Sequence, residues 1–249
     1  MITGRAITKV FFEGTARATP VLRGVDLNIK AGASYVVLGR SGVGKSVLLR
    51  VLLGLTPMTS GELFVKGISV RDQSHRDTYL RSFGMLFQGG ALFDSMTVLD
   101  NVAFPLIERG MPRAQALESA REKLAAVGLE QRVSPLFPSE LSGGMQKRAA
   151  LARAIALHPD ILLFDEPTTG LDPVTGEKII SLLKDTIRSL KTTTITITHD
   201  LVVARALADH ICLLEEGVFS WQGSREEFEA AEHPLVVHFR KAAQGEGVA

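Results

Sequence analysis

Apolar and polar positions divide the first third of the chain into strands, tight turns and one short helix. Residues 21–29 alternate apolar with polar side chains, which is the period of a half-buried strand. Residues 34–38 form a nearly continuous apolar run, as expected of a strand buried on both faces. A glycine-rich loop follows this run. The pattern then predicts a short apolar helix over 46–55 and a strand over 62–70.

The middle of the chain changes to helical spacing before strand-like blocks return. Residues 112–127 and 141–157 are rich in Ala and Leu at helical intervals. Residues 160–165 and 192–198 are short blocks typical of strands. Because strands alternate with helices in this way, we predict an α/β fold with a largely parallel sheet covered by helices.

The helical block is interpreted as an insertion into one domain that spans residues 1–249. The insertion covers about 90–157, and strand-like blocks flank it on both sides. A C-terminal tail covers about 218–249, and we predict that its first part is a surface helix rather than a partner-binding segment. Cys212 lies among apolar residues, so we expect an inert, buried thiol.

Composition limits the kinds of protein that this chain can be. With 45% hydrophobic and 22% charged residues over 249 positions, it can bury a substantial core. Its net charge of +1 gives no electrostatic footprint for nucleic acid. Its single cysteine excludes an internal disulfide framework. The longest segment without charged side chains is 82–93, shorter than the roughly 18–20 residues of a membrane span. We therefore expect a cytosolic chain that reaches a membrane only through a partner.

A glycine-rich motif between the buried strand and the first helix fits the pattern G-x-x-x-x-G-K-[ST]. It consists of Gly39, Arg40, Ser41, Gly42, Val43, Gly44, Lys45 and Ser46. Its glycines let backbone N–H groups turn inward around phosphate oxygens, and the helix N-terminus adds favourable partial charge. Lys45 is predicted to reach the β- and γ-phosphates, and Ser46 to hold Mg²⁺. An ordinary glycine-rich turn that precedes a lysine is the alternative.

Polar residues also end two other predicted strands. Asp165 and Glu166 end the apolar run 161–164, where unpaired carboxylates are costly unless a cation lies nearby. We predict that Asp165 holds the metal's water shell and that Glu166 orients and deprotonates water. His199 follows the strand 194–198, at the end where parallel sheets bind ligands, and is predicted to contact the γ-phosphate. A solvated acidic strand end and a structural histidine are the alternatives.

A second helix start has features of a phosphate-binding site. Ser142 occupies the cap position, and Gly143 and Gly144 expose backbone N–H groups. An ordinary capped helix is the alternative interpretation. Because the chain already has a phosphate loop, a second cradle suggests head-to-tail pairing of two copies. Ser142 and Gly144 of one copy would then cap the γ-phosphate that Lys45 of the other copy holds.

These motifs together resemble the nucleotide-binding subunit of ABC transporters over nearly the full chain. They occur in the family's order: the phosphate loop 39–46, Gln88, the signature 141–145, Asp165-Glu166, Leu171-Asp172 and His199. The resemblance implies a RecA-like P-loop NTPase core with an antiparallel β-subdomain and an inserted helical subdomain. It also implies ATP and Mg²⁺, with Ser46, Gln88 and Asp165 at the metal.

The same resemblance assigns roles to three further positions. Gln88 would link the metal and the γ-phosphate to the helical subdomain, as part of the catalytic set with Lys45, Glu166 and His199. Asp172 would make a contact across the homodimer. Phe12 lies where the family stacks an aromatic ring on adenine, and a core phenylalanine is the alternative for this position.

Within the family, residues 85–106 and 147–154 are similar to the ATPases of Mla/Mce-type phospholipid transporters. That likeness implies energised phospholipid trafficking between inner and outer membrane. The implied partners are transmembrane permease subunits, an Mce-domain lipid-binding protein and a small regulatory subunit, with no nucleic acid. The chain would lie peripherally at the cytoplasmic face of the inner membrane. A groove beside Gln88 is expected to dock the permease, although each apolar residue there could equally be core.

Three other functions remain open at this point. The first is the ATPase of an importer for another solute, such as an amino acid or a metal. The second is a non-transport ABC protein acting on DNA or ribosomes, which the charge and length disfavour. The third is a nucleotide sensor without catalysis, which Glu166 and His199 disfavour. Met145 departs from the family's usual glutamine, and we expect activity to survive this change because backbone N–H groups bind most of the phosphate there. Gly170, where the family commonly has alanine, is a minor departure.

Overall fold

The computed structural model of the protein describes residues 1–243. Within that range the strands β1 to β10 are, in chain order, Ile2–Phe11, Thr19–Ile29, Ser34–Leu38, Ser60–Val65, Ile68–Ser69, Phe83–Leu86, Ile161–Asp165, Thr193–Thr198, His210–Glu215 and Val218–Ser224. The helices α1 to α9 are Lys45–Leu52, Arg76–Leu80, Val98–Glu108, Arg113–Ala126, Gly143–Ile155, Pro173–Leu190, Leu201–Leu207, Arg225–Ala230 and Pro234–Ala243. Short 3-10 turns occur at Gln73–His75, Gln131–Val133 and Pro138–Glu140.

These elements form two compact units. The first unit is Met1–Arg81 together with the chain from Thr193 onward, and the second is Ser82–Thr192. The predicted helical insertion at 90–157 lies inside the second unit. That unit extends beyond the predicted insertion on both sides, because it also contains β6, β7 and α6.

An antiparallel sheet in the order β2-β1-β4-β5 belongs to the first unit. The strand predicted over 21–29 is present, and its inward positions alternate with exposed ones toward Ile29. The single strand predicted over 62–70 is wrong, because β4 and β5 are separated by a tight turn. Lys66 and Gly67 in that turn have φ of 51° and 79°, and paired positive φ values are typical of two-residue hairpin turns.

Parallel strands supply the other sheet region of the first unit. Strand β3 lies between β8 and β9, parallel to both, and β10 pairs antiparallel with β9. All five residues of β3 are buried, as the apolar run predicted. Leu38 pairs with Thr198 on one side and with Leu213 on the other. The carboxyl ends of three strands therefore lie at one edge, where parallel sheets bind ligands.

Helix α1 follows β3 in the first unit. It begins one residue earlier and ends three residues earlier than the predicted 46–55. Gly54 has φ 62°, and its N–H donates to the carbonyl of Val51 at 2.9 Å. A left-handed glycine of this kind ends a helix, because it satisfies carbonyls that would otherwise lack partners.

The second unit combines two parallel strands with four long helices. Strands β6 and β7 pair in register, with Leu86 opposite Phe164. Helices α4 and α5 lie where the sequence predicted helices, with ends within two residues of the predicted bounds. Thr97, Ser142 and Asp172 cap α3, α5 and α6 by accepting hydrogen bonds from backbone N–H groups, which explains where these helices begin.

Two short helices follow β10 at the end of the described chain. Ser224 and Glu227 form a reciprocal capping box at the start of α8. Phe228 and Val236 are fully buried, so these helices pack against the first unit, as expected of a surface helix. The glycine-rich end at 245–249 lies outside the described residues.

Among residues 1–243, the helices are too short or too polar to traverse a lipid bilayer.

Candidate functional site

The phosphate loop links β3 to α1 and has a backbone that only glycine fits well. Gly44 caps α1 with φ 106°, a conformation that L side chains rarely adopt. A Cβ built on Gly44 would lie 2.9 Å from Cγ1 of Val21 and 3.2 Å from its carbonyl oxygen. A Cβ on Gly39 would lie 2.6 Å from the carbonyl oxygen of Leu214. The motif's first and last glycines are therefore required by close packing as well as by the turn.

Lys45 lies inside this loop. Its side chain is 6% exposed, and its ammonium group donates to the carbonyl oxygens of Gly39 at 2.7 Å and Arg40 at 3.0 Å. The neighbouring Ser41, Gly42 and Ser46 are exposed. A buried cation beside exposed backbone N–H groups and a helix N-terminus is the arrangement that binds a phosphate. The loop therefore fits a nucleotide's phosphates.

His199 lies at the same sheet edge as the phosphate loop. It follows Thr198, whose carbonyl oxygen accepts a hydrogen bond from the N–H of Gly39 at 3.3 Å. Its side chain is exposed, and the next residue, Asp200, caps α7 by accepting from the N–H of Val202 at 2.7 Å. The first unit thus brings together two predicted site elements, the loop that would hold a nucleotide and the histidine predicted to contact its γ-phosphate.

Phe12 is the other predicted site residue of the first unit. It follows β1 with φ 54°, and its side chain is 68% exposed. That exposure excludes the alternative of a core phenylalanine. Stacking on adenine stays a prediction.

The second unit brings Gln88, Asp165 and Glu166 to the end of its two strands. Because Leu86 pairs with Phe164, the residues that follow β6 and β7 share one edge of the pair. Glu166 has φ 46°, a strained conformation for a non-glycine residue. Its Oε2 accepts a hydrogen bond from the hydroxyl of Thr169 at 3.4 Å. Gln88 is exposed, whereas both carboxylates are half-buried.

The signature residues at the start of α5 differ in their exposure. Ser142 accepts a hydrogen bond from the N–H of Met145 at 3.3 Å, as its predicted cap position requires. Ser142 and Gly143 are exposed, but Gly144 is buried. A Cβ built on Gly144 would lie 2.6 Å from Cγ2 of Thr175. Gly144 therefore has a packing role within its own chain, which the sequence analysis missed.

Asp172 caps α6 from an exposed position. Its carboxylate accepts a hydrogen bond from the N–H of Thr175 at 3.0 Å. Hydrogen bonds from the Thr175 hydroxyl and then from the Thr175 backbone lower the pKa of Asp172 below its ordinary value. Asp172 thus fixes the start of α6, and its predicted contact across a dimer stays a prediction.

Lys147 is a residue of this site that the sequence analysis missed. It is 6% exposed and donates a hydrogen bond to the carbonyl oxygen of Gln88. Burial lowers the pKa of Lys147, while Asp165 and Glu166 raise it. Helical spacing could have found this residue, since Lys147 lies three positions after Gly144 on the inward face of α5.

The predicted metal ligands fit Mg²⁺ by their chemistry. Ser46, Gln88 and Asp165 offer a hydroxyl, an amide and a carboxylate oxygen, and Mg²⁺ takes hard oxygen ligands with few carboxylates and several oxygens from phosphates and water. The described residues contain no group of three or more His, Cys, Asp or Glu that could hold a metal ion by themselves.

The fold and these motifs define an ATP-binding cassette, and the comparison with known proteins identifies the family. The family model described as "ABC transporter" matches residues 22–169, more than half of the chain. The chain belongs to the ABC transporter family, and its α/β architecture is the ABC ATPase fold.

Individual relatives carry different transport functions in their names. The methionine import ATP-binding protein MetN of Mesorhizobium japonicum is 42% identical over 207 residues, which cover 82% of this chain and 56% of that protein. The intermembrane phospholipid transport system ATP-binding protein MlaF of Haemophilus influenzae is 39% identical over 220 residues, which cover 87% of this chain and 83% of MlaF. The chain thus spans just over half the length of this MetN.

A solved structure shows the same fold in a paired state. The chain resembles the ATP-binding cassette MJ0796, solved as a dimer in a post-hydrolysis state bound to ADP and Pi. The TM-score is 0.82 at 35% sequence identity, and the match covers 90% of this chain and 99% of that one.

Proposed function

We propose that the chain is the ATP-hydrolysing subunit of an ABC transporter. The observation that supports this most strongly is the phosphate loop, in which Lys45 is buried against the carbonyl oxygens of Gly39 and Arg40 at the end of a buried parallel strand. His199 lies at the same edge. A buried cation beside the N-terminus of a helix favours binding of the negatively charged phosphates of a nucleotide.

Each candidate residue then has a chemical task. Lys45 and the loop N–H groups bind the β- and γ-phosphates, and His199 holds the γ-phosphate or the attacking water. Glu166 orients that water and accepts its proton, as a general base at the end of β7. Bound Mg²⁺, held by Ser46, Gln88 and Asp165, would neutralise charge on the phosphate oxygens. Phe12 has the exposure needed to stack on adenine.

Two copies are proposed to act together as a head-to-tail homodimer. Ser142 and Gly143 are exposed at the N-terminus of α5, where N–H groups and helix dipole favour an anion. Asp172 is exposed at the start of α6. The dimeric structure of MJ0796 with ADP and Pi supports this assembly. ATP favours the closed dimer by the difference in its affinity for the two states.

A groove in the second unit is the proposed docking site for the permease, which would place the chain at the cytoplasmic face of a membrane. The groove has a volume of about 390 Å³, and Met96, Phe104 and Ile107 contribute to its apolar wall. Its polar edge carries Asp100, which pairs with Arg113 at 2.7 Å. An apolar groove with adaptable Met and Phe side chains suits an inserted amphipathic helix.

Phospholipid is the proposed cargo, and an amino acid is the second candidate. The likeness of residues 85–106 and the relative MlaF support phospholipid. Mce-domain and regulatory partners are proposed from the sequence likeness alone. The relative MetN, at similar identity, supports methionine or another solute. Purification of the native complex, with mass spectrometry of its companions and bound lipid, distinguishes them. Recovery of a solute-binding protein without phospholipid would reject lipid transport.

Substitution of Glu166 tests the catalytic assignment. Glu166→Gln keeps the size of the side chain but removes the base, so ATP binding should persist while phosphate release stops. The blocked protein should accumulate as an ATP-dependent dimer in size-exclusion chromatography. Hydrolysis at the parental rate by Glu166→Gln would show that another group is the base.

A further inference from the structure

Helix α5 directs two cationic side chains at the loop that carries Gln88. Lys147 donates to the carbonyl oxygen of Gln88, and Nη2 of Arg153 donates to the carbonyl oxygen of Gly90 at 3.0 Å. The guanidinium of Arg153 also lies 5.6 Å from the ring centre of Phe93. Hydrogen bonds from a cation are stronger than neutral ones, and they gain strength in a poorly solvated site. Both hydrogen bonds are made to the backbone of the loop, not to its side chains.

The loop itself is a tight turn with fixed ends. The N–H of Gly90 donates to the carbonyl oxygen of Phe87 at 2.9 Å, and Gly90 has φ 75°. At its far end, Asn101 accepts from the N–H of Phe93 at 2.7 Å and donates to its carbonyl oxygen at 3.0 Å. Between these anchors, the carbonyls of Gln88 and Gly90 are those that α5 binds.

The charges of the carboxylates at the end of β7 also act on Lys147. Asp165 and Glu166 both favour its charged form electrostatically, against the cost of its burial. The ammonium group that donates to the backbone of Gln88 is therefore also stabilised in its charged form by the candidate base and by a candidate metal ligand. Lys147 lies in α5, just beyond the first turn after Ser142, the residue that caps this helix.

We propose that Lys147 and Arg153 form a clamp, here called the α5 clamp, that joins the Gln88 loop to the signature helix so that both move as one body. Lys147 is a positioning residue, since it acts through the backbone of Gln88. The kinetic part of this inference rests on the proposed ATPase function. If the signature residues contact a nucleotide held by a second copy, the clamp conveys that contact to Gln88 within the same chain.

The test replaces each cation by an apolar side chain of similar length. In Lys147→Met and, separately, in Arg153→Met, amide hydrogen exchange over 87–92 should accelerate at least about tenfold, because the loop carbonyls lose their donors. Peptides from α4 should exchange at the parental rate. The conservative variant Lys147→Arg, which keeps a charged donor, should restore slow exchange.

Kinetics give the second readout. Lys147→Met should lower kcat by about tenfold and change KM for ATP less than twofold, because the phosphate loop is intact. Lys123→Met is the matched control: this half-buried lysine on α4 contacts His158 at 2.9 Å. It should leave both the loop exchange and kcat unchanged.

Three results would overturn the clamp. They are unchanged exchange over 87–92 in folded Lys147→Met, acceleration spread evenly over the whole second unit, and equal losses in Lys147→Met and Lys147→Arg. If Lys147→Met does not fold, Arg153→Met carries the same exchange test. Absence of ATP hydrolysis by the unaltered chain would reject the proposed function, while the exchange experiment would still decide whether the clamp exists.

Discussion

Adding one methyl group at Gly144 should destabilise the second unit, although alanine is the better helix former. The new Cβ would lie 2.6 Å from Cγ2 of Thr175, well inside the contact distance of two carbon atoms. Thr175 is β-branched and cannot easily rotate its methyl group away. Forcing an extra methyl into a packed site costs about 1–3 kcal/mol, whereas Gly to Ala gains at most about 1 kcal/mol in a helix. With the full helical gain of about 1 kcal/mol subtracted, we expect a net loss of up to about 2 kcal/mol.

The adjacent glycine is a matched control. A Cβ on Gly143 would lie 3.3 Å from Cδ2 of Leu171, the far end of a flexible side chain that can shift by a few tenths of an ångström. Gly143→Ala should therefore be neutral or stabilising by up to about 1 kcal/mol. Urea unfolding followed by circular dichroism measures both variants under the same conditions.

A double-mutant cycle identifies the clash itself. Thr175→Ser removes only Cγ2 and keeps the hydroxyl that supports Asp172. In the Thr175→Ser background, Gly144→Ala should lose at least half of its destabilising effect, since the atom it strikes is gone. If Gly144→Ala costs no more than Gly143→Ala, or costs the same with and without Thr175→Ser, packing against Thr175 is not the reason for a glycine at this position.

Three further predictions concern single groups. Lys45→Ala should weaken binding of a fluorescent ATP analogue at least tenfold, because it removes the buried cation, and substitution of the exposed Lys30 by Ala is the control. Parental affinity in Lys45→Ala would contradict the phosphate-binding role of Lys45. Burial raises the pKa of Cys212 to about 12, so Ellman's reagent at pH 8 should react only after unfolding, and rapid labelling of the native protein would contradict burial. The folded-state pKa of Asp172 is lowered, so its carboxylate stabilises the folded protein at neutral pH, and this contribution is lost as pH falls below about 4. The difference in Tm between the unaltered protein and Asp172→Asn should therefore shrink from pH 6 to pH 3.

Strands buried on both faces were the elements that the sequence predicted best. Strands β3, β7 and β8 lie within one residue of the predicted bounds, because short runs rich in apolar or β-branched residues favour strands. The break between β4 and β5 was missed. Residues 62–70 have strand-like composition on both sides of Lys66, and Gly67 is the turn signal within that run that the prediction did not use.

Candidate site residues were predicted from motifs, but their supporting contacts were not. A motif specifies which chemical groups follow a strand: Lys45 begins α1 after the loop that follows β3, Glu166 comes directly after β7, and His199 comes directly after β8. Their roles stay predictions. The partners of Lys147 and Gly144 lie 59 and 31 residues away along the chain. Helical periodicity says that both face inward, but it does not say what they meet there.

The buried state of Lys45 changes how nucleotide affinity should be understood. Its ammonium group already donates to the carbonyl oxygens of Gly39 and Arg40, so a bound phosphate exchanges these hydrogen bonds for stronger, charge-assisted ones instead of capturing a solvated cation. The free energy needed to bury the lysine is spent when the protein folds, so the loop already has its shape before a ligand binds. Affinity therefore depends on the carbonyl positions as well as on the charge.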